Sequence, residues 1–460
     1  MAEETVNPPA PAVLSEPAVQ SAPQVDRADK RAFITTTAIA LVVYLFSLTP
    51  QVTLGWSGLM VTGAAYAGVP MPAGYPVWTI YSWLFTKLLP FSNLAWRVAV
   101  GSAVAGALAC GLVALLVSFS AKVLFAESKL FQRLNLNEQG KLRLVCGSVA
   151  GLVLGFSTPI WGDAVIPDFW SLGLLLFTGA LYLFSRACFE PERRRFLCTA
   201  FFLFGMLLTN NQEWLVALPG FVCLVMLGDL RLGRDVALIA LPWAVLFTAA
   251  NQYHIFPWFV EDRPWIWPLP VAFVAAMLIA FVAAIRTREF GSRWKLAMAC
   301  AFCLLLGLGF YLYLPIASIS APPVNHGYPR TFEGFFHVLS RGQFERVHPT
   351  DNLSTFVQQL WMFLKFTGKS FGWLYLVIAL VPFCARGLIG QRGRRWLAGL
   401  VTVWICTGPL LLAMLNPSVD RQSIELTESF FNASRVILAV LMGLGLIILG
   451  AWLTRPREHE

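Results

Sequence analysis

Apolar residues run together in long stretches separated by shorter polar ones. This pattern predicts membrane-crossing helices, since about 20 apolar residues cover the roughly 30 Å of a bilayer's hydrocarbon core. The runs fall near 33–49, 95–119, 144–160, 169–186, 196–209, 213–228, 236–251, 267–285, 296–314, 371–386, 396–415 and 436–453, about 12 spans in an all-α, polytopic chain. The pair 196–209 and 213–228 is short for a crossing and needs local thinning of the bilayer. Between the first two runs, Trp56 to Tyr66 and Val77 to Leu89 mix aromatic, small and aliphatic residues at helical spacing. They read as two short helices, lying in the membrane interface or packed back as a re-entrant segment.

Composition agrees: 57% of residues are hydrophobic, 13% are charged and the mean hydropathy is +0.66, more apolar surface than a soluble domain can hide. The net charge of +9 is unevenly spread, with 24 of the 34 Lys and Arg residues on one set of alternating segments. By the positive-inside rule that set is cytoplasmic, as are both termini. This bias accounts for the charge without a nucleic-acid partner. Residues 1–30 should be a tail, disordered through its Ala-, Pro- and Glu-rich portion, with no cleavable leader, and 31–455 one transmembrane domain with outer loops 50–94 and 315–370. The nine cysteines sit in spans or inner loops and read as apolar packing rather than as disulfides or a zinc site.

The polar chemistry gathers on the outer side. Loop 50–94 holds Gly68-Val69-Pro70-Met71-Pro72-Ala73-Gly74-Tyr75-Pro76 and no Asp or Glu. Loop 315–370 holds Pro322-Pro323-Val324-Asn325-His326-Gly327-Tyr328-Pro329-Arg330-Thr331 and Ser340-Arg341-Gly342. Prolines and glycines at such spacing suit rigid loops. Arg330 and Arg341 match phosphate oxygens as bidentate forks, or merely cap their own loop. Asp163 and Asp168 stand five residues apart before a span; Asp168 reads equally as an N-cap or as a site acid. Asn210-Asn211-Gln212-Glu213 reads as a tight turn more readily than as a site. His254, His326, His337 and His348 show no helical ligand spacing, so no metal is expected.

The stretches Leu48 to Arg97, Trp161 to Leu172, Tyr311 to Phe344 and Glu425 to Arg435 together resemble a bacterial membrane-protein family related to the transmembrane protein O-mannosyltransferases, within the GT-C glycosyltransferases. The resemblance covers most of 33–440 and implies a GT-C-like fold. In that family the first loop carries an Asp as base and a Glu shortly after it; here Trp56 and Leu59 stand at those positions, and neither can take a proton. Asp168 matches a family Glu near a Tyr, whereas Asp163 is this chain's own. The resemblance implies transfer of a sugar from a polyprenyl-phosphate donor to a protein or glycan acceptor at the outer face of a bacterial cytoplasmic membrane. Asp163 or Asp168 would be the base, Arg97, Arg330 and Arg341 the phosphate ligands, and Tyr75 and Asn325 would shape the pocket; no cofactor is implied beyond the lipid-linked donor. The alternative is an inactive relative that binds lipid-linked glycan; a transporter has less support, since no inverted repeat is visible.

Overall fold

The computed structural model describes residues 24–126, 128–191, 193–239, 282–283, 285–289, 291–341, 349–350 and 352–454. In chain order the first helices are α1 (Arg27–Phe46), α2 (Ser57–Ala65), α3 (Pro76–Leu88), α4 (Leu94–Leu124), α5 (Lys129–Gln132), α6 (Leu136–Gly155), α7 (Thr158–Ala164), α8 (Trp170–Phe189), α9 (Arg194–Leu208) and α10 (Ala217–Gly228). The later ones include Trp294–Leu308, Tyr313–Ile319, Phe332–Leu339, Leu353–Phe371, Trp373–Cys384, Gln391–Ile405 and Asn432–Leu453. The described elements are all helical, apart from one isolated β-bridge, and are joined by turns and irregular loops.

Local sequence sets the starts of these helices. Asp26 accepts the Asp29 amide while the Asp29 side chain accepts the Asp26 amide, a reciprocal cap that begins α1 inside the stretch expected as tail. Asn135 and Glu138 repeat the device at α6, and Asn93 caps α4 alone. α2 and α3 fall where the aromatic and aliphatic spacing predicts them.

Among the described residues, five helices or joined helices are long and apolar enough to cross a membrane: Leu94–Leu124, Trp170–Phe189, Trp294–Ile319, Gln391–Leu415 and Arg421–Leu453. Two sharply bent pairs, α6 with α7 and Leu353–Phe371 with Trp373–Cys384, raise this to seven if each is one span, so the expected count of about 12 is not supported. Three physical reasons separate the counts. α1 places Asp29, Lys30 and Arg31 in its opening turns, which shortens its charge-free length. α9 and α10 have 15 and 12 residues, too few to cross unaided. The runs 236–251 and 267–285 lie largely outside the described residues.

α4 is the hub, packing on α1, α3, α6, α7, α8 and the Asn432–Leu453 helix. Ala99, Ala103, Ala107, Ala109 and Ala114 along it are fully buried, small enough for neighbouring backbones to come close. The core runs from α4 through Phe177, Phe184 and Phe221 to Val436, Val440 and Leu444.

The two ends of the bundle differ in chemistry. At one, Arg143 bridges Asp26 (2.6 Å) and Asp29 (3.0 Å), and Lys122 also reaches Asp26. Burial alone would raise the Asp26 carboxyl, but the Arg143 hydrogen bond, the Asp29 amide and the charges of Arg143 and Lys122 hold it down at about 2. Arg186 lies over Phe119 at this end, Trp396 donates to Ser185 Oγ at 3.0 Å, and Gly450 packs on Leu142. The first helix therefore begins, and the last ends, at the same basic end.

Candidate functional site

At the opposite end the two proline- and glycine-rich loops clasp one another. Val69 N donates to Val324 O at 2.9 Å and His326 N to Val69 O at 3.0 Å, forming the parallel bridge Val69–Asn325. Gly68 permits the approach, because a Cβ there would lie 2.4 Å from Val324 O. Tyr313 adds a bond from its hydroxyl to Gly68 O at 3.2 Å. Gly74, at φ +88, turns the chain so that Tyr75, itself left-handed at φ +43, is buried against Phe169 with ring centroids 4.2 Å apart.

Asp168 stands directly before Phe169. Its carbonyl accepts Trp78 Nε1 at 2.8 Å and Ser102 Oγ at 3.1 Å, which fixes the loop to α3 and α4. Its carboxylate accepts the Phe169 amide at 2.6 Å and has no side-chain partner among the described residues. Burial pushes this carboxyl up to about 6, against the pull of the Phe169 and Trp170 amides. Asp163 is the reverse case: buried, it accepts Ser429 Oγ at 3.0 Å and Asn432 Nδ2 at 2.8 Å, and Arg435 lies close enough to attract it. Arg435 in turn donates to Glu428 Oε1 at 2.8 Å and Asn432 Oδ1 at 2.9 Å. Asp163 thus fastens α7 to the start of the last helix.

The polar turn Asn210 to Glu213 faces the same region. Asn210 Nδ2 donates to Phe169 O at 3.1 Å and to Asn211 Oδ1 at 2.7 Å, and Asn211 Nδ2 to Glu213 Oε1 at 2.8 Å. Glu213 Oε2 pairs with Arg341 Nη2 at 3.0 Å. Gln212 Nε2 reaches Tyr311 OH at 2.8 Å and Leu339 O at 3.0 Å, drawing the second loop onto the turn. Burial raises the Tyr75 hydroxyl well above its ordinary value; Arg341 opposes that, while Glu213 and Asp168 add to it. Tyr75 therefore lies within electrostatic reach of Asp168, Glu213 and Arg341.

Of the residues the sequence nominates, Asp168 and Arg341 each lie near Tyr75. Arg97 turns back on its own loop, giving its three nitrogens to the carbonyls of Phe91, Thr86 and Ser92. Arg330 is exposed, 5.8 Å from the Tyr328 ring. Asn325 contributes backbone to the clasp, and its Nδ2 approaches Ser318 O at 3.4 Å. Glu213, read from sequence as part of a turn, is the acid that joins the site. Its signal is a polar run of three amides and a carboxylate between two apolar stretches. Among the described residues no three His, Cys, Asp or Glu side chains are grouped to hold a metal ion.

These features define an all-helical chain with membrane-length apolar helices and a buried polar site at the end away from its basic loops. Residues 57–232, which include Tyr75, Asp163, Asp168 and Glu213, match the family described as Protein O-mannosyl-transferase TMEM260 N-terminal domain. The mouse Protein O-mannosyl-transferase TMEM260 is 23% identical over 436 residues, 91% of this chain and 50% of its own length. The Dictyostelium discoideum protein of the same name is 22% identical over 431 residues, 90% of this chain and 44% of its own. The chain thus spans about half the length of the curated relatives it matches, and it is similar to O-mannosyl-transferases. No solved structure matches it.

Proposed function

We propose that this chain is a glycosyltransferase that moves a sugar from a polyprenyl-phosphate donor to a hydroxyl acceptor on the membrane face opposite its basic loops, the outer face of a bacterial cytoplasmic membrane with both termini inside. Asp168 carries the reading. It is a carboxylate without a side-chain partner among the described residues, lifted to about 6, near Tyr75 and within the region matched to the O-mannosyl-transferase domain. Ionised, it takes the acceptor's proton as the acceptor oxygen bonds to the anomeric carbon. The bond from that carbon to the phosphate oxygen breaks, its electron pair stays on the lipid phosphate, and Arg341 stabilises the developing charge. Asp163, already bonded to Ser429 and Asn432, orders the loop from behind.

The test is transfer of radiolabelled sugar from polyprenyl-phosphate donors by the purified full chain in lipid nanodiscs. Asp168→Asn should lower turnover by about 10²-fold or more while donor binding holds, since a general base acts on the transition state. Unaltered turnover in a folded Asp168→Asn protein would remove Asp168 as base. A second reading, a non-catalytic binder of lipid-linked glycan, is favoured by exposed Trp56 standing where the similar family has its base. Donor binding without transfer by the wild type would decide for it.

A further inference from the structure

Arg341 is the cation paired with Glu213, and its guanidinium is only partly used among the described residues. One nitrogen, Nη2, pairs with Glu213, while buried Nε has no hydrogen-bond partner among the described residues. An unpaired buried N–H is an unfavourable arrangement that proteins rarely keep without a use. Guanidinium is shaped to offer two parallel N–H groups to an oxyanion, and a single contact to one carboxylate oxygen leaves that geometry unfilled. Glu213, for its part, is held on its other oxygen by Asn211 and its side chain is 6% exposed. Burial alone would lower the Arg341 group, yet Tyr75, Glu213 and Tyr311 hold it above its ordinary value.

We infer that Glu213 is a resident stand-in for the donor's phosphate: it neutralises Arg341 while the site is empty and yields that arginine when a phosphate monoester or diester of a polyprenol arrives. The inference rests on the glycosyl-transfer reading for its ligand class and adds a residue that reading does not use. Displacement sets the affinity of the empty site, because the incoming phosphate competes with a tethered carboxylate for the same nitrogen, and apparent binding is reduced by the fraction of Arg341 already engaged. Asn211 keeps the released Glu213 beside the site rather than letting it swing away, so the pair re-forms when the lipid phosphate leaves. Glu213 is in this sense a positioning residue, acting on the donor through Arg341.

Binding of a short-chain polyprenyl monophosphate to the full chain in nanodiscs tests this, with thermal unfolding followed in parallel. Glu213→Gln keeps the shape and removes the competing charge, and should tighten binding about tenfold, the equivalent of one charge-assisted contact. The gain should vanish in Glu213→Gln combined with Arg341→Lys. If Glu213→Gln does not fold, Glu213→Asp, one methylene shorter, should tighten binding in the same direction. Equal or weaker binding by folded Glu213→Gln, or by Glu213→Asp where that variant decides, overturns the inference, as does no binding by either wild type or variant. Inorganic phosphate is the control: a gain for it and none for the polyprenyl phosphate overturns the lipid assignment. Tightened binding together with no sugar transfer by any variant leaves the stand-in role intact and counts only against the catalytic reading.

Discussion

Asp163 and Asp168 belong to one short segment yet face opposite demands. Asp163 has two side-chain donors and a nearby arginine; among the described residues Asp168 has backbone amides alone. A carboxyl raised from 3.8 to about 6 is more readily neutral in the folded chain than in the unfolded one. Its contribution to stability is therefore complete below the unfolded value and is lost as pH rises through about 6. The same titration supplies the base, so the initial rate of sugar transfer should climb with pH through about 6 and then level off; Asp163 and Tyr75 are the titratable neighbours whose ionisation would move that midpoint. A rate profile flat from pH 5 to pH 8, in a chain that stays folded, would count against this assignment. The sequence shows two acids and an aromatic loop, but not which acid is already engaged, because the groups that engage Asp163 come from residues 266 and 269 positions later. Arg97 illustrates the converse: its spacing suits a phosphate ligand, and only the turn of 86–92 reveals that its own carbonyls claim it.

At the scale of elements, the clasp between loops 50–94 and 315–370 joins the segment that carries Tyr75 to the one that carries Arg341. Gly68→Ala would press a methyl against Val324 O, where backbone and not a flexible side chain must move. Overpacking of this kind costs about 1–3 kcal/mol. The variant should unfold at lower temperature and bind polyprenyl phosphate more weakly; calorimetry and the same nanodisc binding assay read both. A Gly68→Ala chain matching the wild type in both would show that the two loops do not depend on each other. The short helices α2 and α3 were legible from aromatic and aliphatic spacing. The bridge between Val69 and Asn325 was not, since a pairing across some 250 residues leaves no local periodicity. Glu213 was hidden for a similar reason, a turn becoming a site only when the second loop lies against it.

For the whole molecule, the basic loops and the candidate site occupy opposite ends of the bundle, and the charge pattern reads the basic end as cytoplasmic. With native cysteines replaced, Ser354→Cys should be labelled by an impermeant thiol reagent from outside intact cells, and Lys141→Cys only after the membrane is opened; both positions are exposed. The opposite pattern would invert the chain and its site. Membrane character was plain from hydropathy, but the number of crossings was not, because helices that bend sharply or stop at 12 to 15 residues look like ordinary spans when read as composition.

The fastening of Asp163 to Asn432 has a consequence for how the chain is made. A polypeptide threaded into a membrane from its N-terminus presents Asp163 long before the ribosome reaches Arg435. Throughout that interval the acid is buried without its counter-charge, or the segment around it has not yet settled. The Asn432–Leu453 helix, inserted long after Asp163, completes the site's foundation, so a fragment ending near residue 232 would carry Asp163, Asp168 and Glu213 and still lack the part that fastens Asp163.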